Sequence, residues 1–347
     1  MIRDEERVVN SNSYIDTNKF SSALRRKGID KTHRRILITN FKGTEQSKDL
    51  TLPPNCGGFG RIHHFRRWSG GKDWPPDPLP IDPATAALGL PRTDELQVQI
   101  FQNAICSWRC WYCFVDYELL SGNPRYSEFK TVDELIDLYL AEPTRPKIID
   151  LSGGQPDLVP EWGVWFMDAI KDRGLEKELY LWSDDNLSND YLWRYLNREE
   201  IRRLSSSPNY GRVGCFKGFD QNSFSFNTKA APEMFDMQFV LMRRLVEAGF
   251  DVYGYTTMTS NSDNLLSARM KDFVDRLQSE VHPLFPLRTI PLRIYEFSPT
   301  ISRVQKEHQQ ALEIQKAAVQ IWREELEKRF SIEERSRPIF LNTISGQ

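Results

Sequence analysis

The stretch Cys106-Ser-Trp-Arg-Cys110-Trp-Tyr-Cys113 holds three of the chain's five cysteines in a C-x3-C-x2-C spacing. Thiolates are metal ligands as well as nucleophiles, and a short loop carrying three of them points to a metal centre. A [4Fe–4S] cube normally takes four cysteines. Held by three, it keeps one iron with open coordination, where a small molecule binds and receives an electron. A structural zinc site usually closes with four ligands on paired C-x2-C arms. Here the nearest histidines, His63 and His64, lie far upstream. A disulfide reading needs an oxidising compartment, and the chain opens without an apolar signal segment. Cys56 and Cys215 stand alone and read as packing residues. No second group of cysteines follows, so no auxiliary cluster is expected.

Regular elements must position that loop. Leu96–Phe101 alternates apolar and polar residues as a strand does, and the cysteine loop follows it. Further strands are expected at 147–151, 178–182, 212–216, 251–256 and 292–297. The helices between them are expected near 131–142, 161–173, from 189, at 233–248 and at 264–280, with a long one over 305–330. Thr131-Val-Asp-Glu134 is a capping-box pattern, and Gly249 suits a helix stop. Strands separated by single helices predict parallel pairing with right-handed crossovers. Residues 1–95 read differently, as an irregular extension rich in proline and glycine that wraps the main domain.

The cysteine spacing, with Tyr112 before the last cysteine, resembles the cluster loop of the radical S-adenosylmethionine (radical SAM) superfamily. The resemblance covers roughly 96–300 and is closest to the single-cluster branch that includes the pyruvate formate-lyase activating enzyme. It implies an α/β fold, an open (β/α)6 partial TIM barrel, followed by a C-terminal helix and tail over 301–347. It implies that Cys106, Cys110 and Cys113 hold a [4Fe–4S] cluster whose open iron chelates the amino and carboxylate groups of SAM. Reductive cleavage of SAM then yields a 5′-deoxyadenosyl radical, which abstracts hydrogen from a substrate. Ser152, Gly153, Gly154 and Gln155 form the turn after the second strand; the family turn is typically Gly-Gly-Glu-Pro and receives the SAM amino group. Here Gln155 replaces the usual glutamate. Ser183, Asp184 and Asp185 follow the third strand and are candidates for the ribose hydroxyls, with a helix N-cap as the alternative role. Lys217 follows the fourth strand and is a candidate partner of the SAM carboxylate. The Asp-x-Lys of activating enzymes is only half kept, because Cys215 occupies the aspartate position. The backbone near Tyr112 is expected to touch adenine. Tyr253, Tyr255, Thr256, Tyr295 and Glu296 are further strand-end candidates.

Size and charge bound the rest. The chain has 347 residues, enough for one large α/β domain with extensions, and a formal charge of −2, so no global field draws it to nucleic acid or a membrane. The mean hydropathy of −0.54 and the cysteine usage lead to the expectation of a soluble, cytoplasmic protein. Arg61-Ile-His-His-Phe-Arg-Arg-Trp68 mixes cations with aromatics, a pattern that can hold single-stranded nucleic acid. Arg25, Arg26, Lys27, Lys31, Arg34 and Arg35 form another basic run, which also reads as a solvated face. The expected electron donor is reduced flavodoxin or ferredoxin. The expected substrate is a protein or peptide, with a nucleotide, nucleic acid or anionic small molecule as the alternative. A non-catalytic, metal-stabilised binding module is the reading from another class.

Overall fold

The computed structural model describes residues 14–344. The outermost residues of the expected N-terminal extension and C-terminal tail therefore lie outside the described residues. Among the described residues, ten strands form two sheets. The smaller is antiparallel and joins β1 (Ile29–Asp30), β2 (Arg35–Thr39) and β5 (Ser127–Thr131). The larger runs in the order β10 (Thr289–Leu292), β9 (Val252–Thr257), β8 (Tyr210–Phe216), β7 (Tyr180–Asp185), β6 (Ile148–Ser152), β4 (Glu95–Gln102) and β3 (Gly60–Arg66). All its pairings are parallel except β3 with β4. The sheet curls into a half-barrel, so the fold is the expected α/β partial barrel.

Helices alternate with the parallel strands. In chain order they are α1 (Thr17–Gly28), α2 (Ile81–Ala87), α3 (Val132–Leu140), α4 (Glu161–Asp172), α5 (Tyr191–Tyr195) and α6 (Arg198–Ser205). Next come α7 (Gln221–Thr228), α8 (Met234–Glu247), α9 (Leu266–Arg276), α10 (Ser298–Ile301), α11 (Lys306–Arg329) and α12 (Ile332–Ser336). The Thr131 hydroxyl accepts from the Glu134 N–H at 3.1 Å while the Glu134 carboxylate accepts from the Thr131 N–H at 2.7 Å. That reciprocal cap starts α3 where the sequence pattern placed it.

Period-two alternation splits the strand side chains between two cores. Val98, Ile100, Ile148, Tyr180, Trp182, Val213, Tyr253 and Tyr255 face inward with Leu79, Ala84 and Ile339. Phe101, Ile149, Leu151, Leu181, Phe216 and Val252 face outward, against the helices. Trp322 on α11 joins that outer core and lies 6.0 Å from the Phe273 ring of α9.

Besides β5 and α7, which the sequence reading did not place, and the helix expected from 189, which divides into α5 and α6, two stretches differ from the sequence-based expectation. The segment before residue 96 is not irregular throughout: it supplies α1, β1, β2, β3 and α2. Gly60–Arg66 pairs along its whole length with β4, and that long-range antiparallel register is invisible in a segment dominated by turn residues. The sixth parallel strand is Thr289–Leu292, not 292–297. Pro291 is tolerated there because β10 is the sheet edge. Beyond it, the Gln315 amide of α11 bonds both Ile294 backbone groups, at 3.1 and 3.0 Å, and ends the ladder.

Candidate active site

The cysteine loop leaves the C-terminal end of β4, the end at which parallel barrels gather their chemistry. Cys106, Cys110 and Cys113 are unpaired thiols; Cys110 is buried and the other two are half-buried. The loop is held on several sides. Cys106 N–H donates to Leu120 O at 3.0 Å, and Cys113 N–H to Cys110 O at 3.0 Å. The Tyr117 hydroxyl donates to Arg109 O at 2.9 Å and to Cys110 O at 3.0 Å. Asn227 on α7 accepts from Trp111 Nε1 at 3.0 Å and donates to Lys217 O at 2.9 Å and Thr259 O at 3.1 Å. One buried amide thus joins the cysteine loop to the ends of β8 and β9.

Burial pushes all three thiols up; for Cys110 the value reaches about 12. Lys217 opposes this, for its ammonium lies among Cys215, Tyr112, Cys110 and Cys106. Asn186 Nδ2 donates to Cys106 Sγ at 3.7 Å. Among the described residues, no group of three or more His, Cys, Asp or Glu side chains surrounds a point as ligands of a single ion do. The donor set is three thiols on one loop. It fits a four-iron cube with one open iron and lacks the fourth ligand of a closed zinc site.

The Gly-Gly turn packs directly on this loop. Gly153 adopts φ of 87°, the left-handed region that favours glycine. A Cβ on Gly154 would stand 2.0 Å from Asn103 O and 2.7 Å from Ile105 O. Gln155 is fully buried. Its Oε1 accepts from Ser107 N–H at 3.3 Å and Ser107 Oγ at 2.8 Å, and its Nε2 donates to Ser188 Oγ at 2.5 Å. It braces the cysteine loop, and no free polar end of it faces the barrel interior. Ser152 Oγ donates to Asp184 Oδ2 at 2.8 Å across adjacent strands.

Strand alternation separates the triplet after β7. Asp184 shares the inward parity of Tyr180 and Trp182 and accepts from Trp182 Nε1 at 2.8 Å. Ser183 and Asp185 face the helix layer. Ser183 Oγ bonds the Tyr210 hydroxyl at 2.8 Å, and Asp185 accepts from Leu187 N–H at 2.6 Å. Asp185 is pushed up to about 7 by burial and by nearby Asp157, with Arg212 opposing. Cys106, Cys110, Cys113, Tyr112, Lys217, Asp184 and Ser152 therefore share one mouth, while Gln155 supports it from behind.

Sequence reasoning missed Asp77 and Asp150, and it read Arg61 only as part of a basic aromatic segment and Asn186 only through a loose likeness of the stretch after the third strand to an Asp-Thr-Asn-Gly motif. Asp150 and Asp184 are carboxyls pushed up by burial, with Arg61 opposing. Parity could have found Asp150, two residues before Ser152 on the same strand. Cys56 and Cys215 pack in the outer and inner cores, as expected, and Cys215 lies beside Lys217. The basic aromatic segment is paired internally, Arg66 with Glu95 at 3.2 Å and Arg67 with Asp82 at 2.5 Å and Asp94 at 2.7 Å. In the earlier basic run, Arg25 pairs with Glu161 at 2.6 Å and Arg35 with Asp30 at 2.5 Å. No helix among the described residues is long and apolar enough to cross a membrane.

No protein-family model and no curated protein sequence matches the chain. Among solved structures, SuiB of Streptococcus suis bound to S-adenosylmethionine aligns at 16% identity and a TM-score of 0.38, over 53% of this chain and 38% of that one. A second structure of Streptococcus suis SuiB aligns at 16% identity and a TM-score of 0.37, over 53% of this chain and 37% of that one. The match spans well under half the length of either SuiB chain.

Proposed function

We propose that this chain is a radical SAM enzyme. The observation that carries the reading is the three-thiol loop at the C-terminal mouth of a parallel half-barrel, with a Gly-Gly turn packed on it. A [4Fe–4S] cluster on Cys106, Cys110 and Cys113 would pass one electron from reduced flavodoxin or ferredoxin to SAM, breaking a carbon–sulfur bond to give methionine and a 5′-deoxyadenosyl radical, which takes a hydrogen atom from the substrate.

The protein's own residues hold and orient. Asn186 donates to one ligand sulfur, and Lys217 places a positive charge beside the thiols and within the mouth. The backbone of Gly153 and Gly154 allows close approach of a ligand without a Cβ in the way. Asp184, held by Ser152 and Trp182, supplies an inward acceptor for hydroxyl or ammonium groups. Ser183 and Asp185 act through the helix layer as positioning residues. Hydrogen abstraction from a protein or peptide remains the proposed outcome.

The test is anaerobic. The full chain is reconstituted with iron and sulfide, reduced with dithionite and supplied with SAM. Expected are about four irons per chain, a SAM-dependent change in the EPR signal, and 5′-deoxyadenosine in the product. The triple variant Cys106→Ala, Cys110→Ala, Cys113→Ala should lose all three. Equal iron and an unchanged signal in that variant would sink the proposal.

A further inference from the structure

Arg25, Arg67, Arg212 and Arg288 are buried, and each holds a carboxylate: Glu161, Asp82, Asp157 and Asp251 in turn. Arg109 and Arg303, half-buried beside the cysteine loop, hold none among the described residues. Their guanidiniums bond instead to carbonyls of the loop. Arg109 Nη1 donates to Cys106 O at 2.7 Å and to Trp108 O at 2.9 Å, and its Nη2 to Ser121 Oγ at 3.2 Å. Arg303 Nη2 donates to Val115 O at 3.0 Å and its Nε to Pro299 O at 2.8 Å, while its Nη1 is buried without a partner. Both guanidiniums lie against the Tyr117 ring, at 5.5 and 4.1 Å, and so are near neighbours of each other. The acids flanking that tyrosine do not answer them: Asp116 accepts from the Glu118 N–H at 3.1 Å, and Glu118 is exposed.

Arg303 comes from beyond the barrel, between α10 and α11. The same segment touches the loop at two further points. Phe297 lies 6.2 Å from the Phe114 ring, and His308 stacks on Trp111 at 4.5 Å. It thus covers the loop from Trp111 to Tyr117. Two like charges side by side in a half-buried place are costly unless negative charge lies near. The proposed cluster supplies it. Three thiolates outweigh the charge of an oxidised [4Fe–4S] core, and reduction adds a further negative charge. An arginine does not lose its proton in a protein, so guanidiniums tied to the loop carbonyls are permanent positive charges there.

We infer that Arg109 and Arg303 are counter-charges of the cluster, Arg303 being delivered by the segment after the barrel, and that they raise its reduction potential. The inference rests on the proposed function only for the cluster itself; it uses neither SAM nor substrate.

The test is made on Arg303, which lies outside the ligand loop. The full chain and its Arg303→Gln and Arg303→Lys variants are reconstituted with iron and sulfide, and reduction is followed by EPR at set potentials without SAM. Arg303→Gln keeps a donor for Val115 O and removes the charge. It is expected to lower the ratio of reduced to oxidised cluster about tenfold at a given potential, a shift of about 60 mV for a one-electron couple. Arg303→Lys should recover at least half of that shift. Arg323→Met removes a guanidinium farther along α11, bonded to Asp73 O at 3.1 Å, and should leave the potential alone. An unmoved potential in Arg303→Gln with its iron complete overturns the inference. So do equal shifts in Arg303→Gln and Arg303→Lys, which would trace the effect to lost packing, and so does an equal shift in Arg323→Met. If Arg303→Gln takes up no cluster while Arg303→Lys does, the charge is needed to hold the cluster and the inference stands. If neither takes one up, Arg303 is a structural tie to Val115 O and the inference fails. The shift in a wild-type chain that never forms 5′-deoxyadenosine fails the radical reading only; 5′-deoxyadenosine formation with an unmoved potential in Arg303→Gln fails this inference only.

Discussion

Gln155 shows how an amide does what a carboxylate could not do in the same way. Ser107 N–H can only donate, so it fixes Oε1 on that side and leaves Nε2 to donate to Ser188. An amide fits this place, its Oε1 accepting from Ser107 and its Nε2 donating to Ser188. Asn186 is the other telling residue. Its donation to Cys106 Sγ would stabilise a more negative, reduced cluster. In the proposed enzyme, Asn186→Ala should lower the reduction potential by on the order of 40 mV, what one hydrogen bond of about 1 kcal/mol carries in a one-electron couple. A redox titration followed by EPR reads this directly; an unmoved potential would mean the amide does not engage the thiolate. Asp77 gives a pH prediction. Burial pushes it from 3.8 to about 7, against the Leu79 N–H and the Tyr255 hydroxyl, which lower it. Between those values the folded chain holds more protons than the unfolded one, so this group's contribution to stability is lost as pH rises from about 4 to 7. Asp77→Asn should therefore gain on wild type in urea unfolding across that window. A difference that stays flat with pH would show that Asp77 titrates normally.

At the scale of elements, the closeness of the Gly-Gly turn to the cysteine loop is the point of greatest sensitivity. In Gly154→Ala the new methyl meets two backbone oxygens that cannot swing away. Forced repacking of this kind costs about 1–3 kcal/mol, and here it should also part the turn from the loop. Guanidinium unfolding and iron stoichiometry after reconstitution should both fall. Gly163→Ala is the control. Gly163 lies within α4, where a Cβ would meet only Leu204 Cδ2 at 3.5 Å. That substitution should gain roughly 0.5–1 kcal/mol through helix propensity and leave iron binding alone. Equal effects at the two positions would refute the close-approach argument.

For the whole molecule, the question is whether the last long helix folds with the barrel. Trp322 is 1% exposed within the outer core that also contains Phe216, Phe239 and Phe273. Truncating a buried tryptophan costs about 3–5 kcal/mol. Trp322→Ala should lower the midpoint of a single calorimetric transition. A split into two transitions would show that α11 is a separate cooperative unit.

Much of this was legible in the chain. The parallel strands β4, β6, β7, β8 and β9 announce themselves by their apolar runs and the helices between them, and the cysteine spacing states its chemistry through residue type alone. Those are local signals: a period, a cap or a ligand set within eight residues. What the sequence could not decide was which face of each strand curls inward. That depends on pairings between residues far apart in the chain, such as His63 with Val98 or Asp150 with Trp182. The same dependence hid β3 within a segment of prolines and glycines and brought Arg61 beside Ile100 of the inner core from what looked like a basic surface patch. It separated Asp184 from Ser183 and Asp185, and it ended β10 where the Gln315 side chain took over the backbone hydrogen bonds. Residue types declared the chemistry on offer; sheet register and curvature chose which of those residues meet.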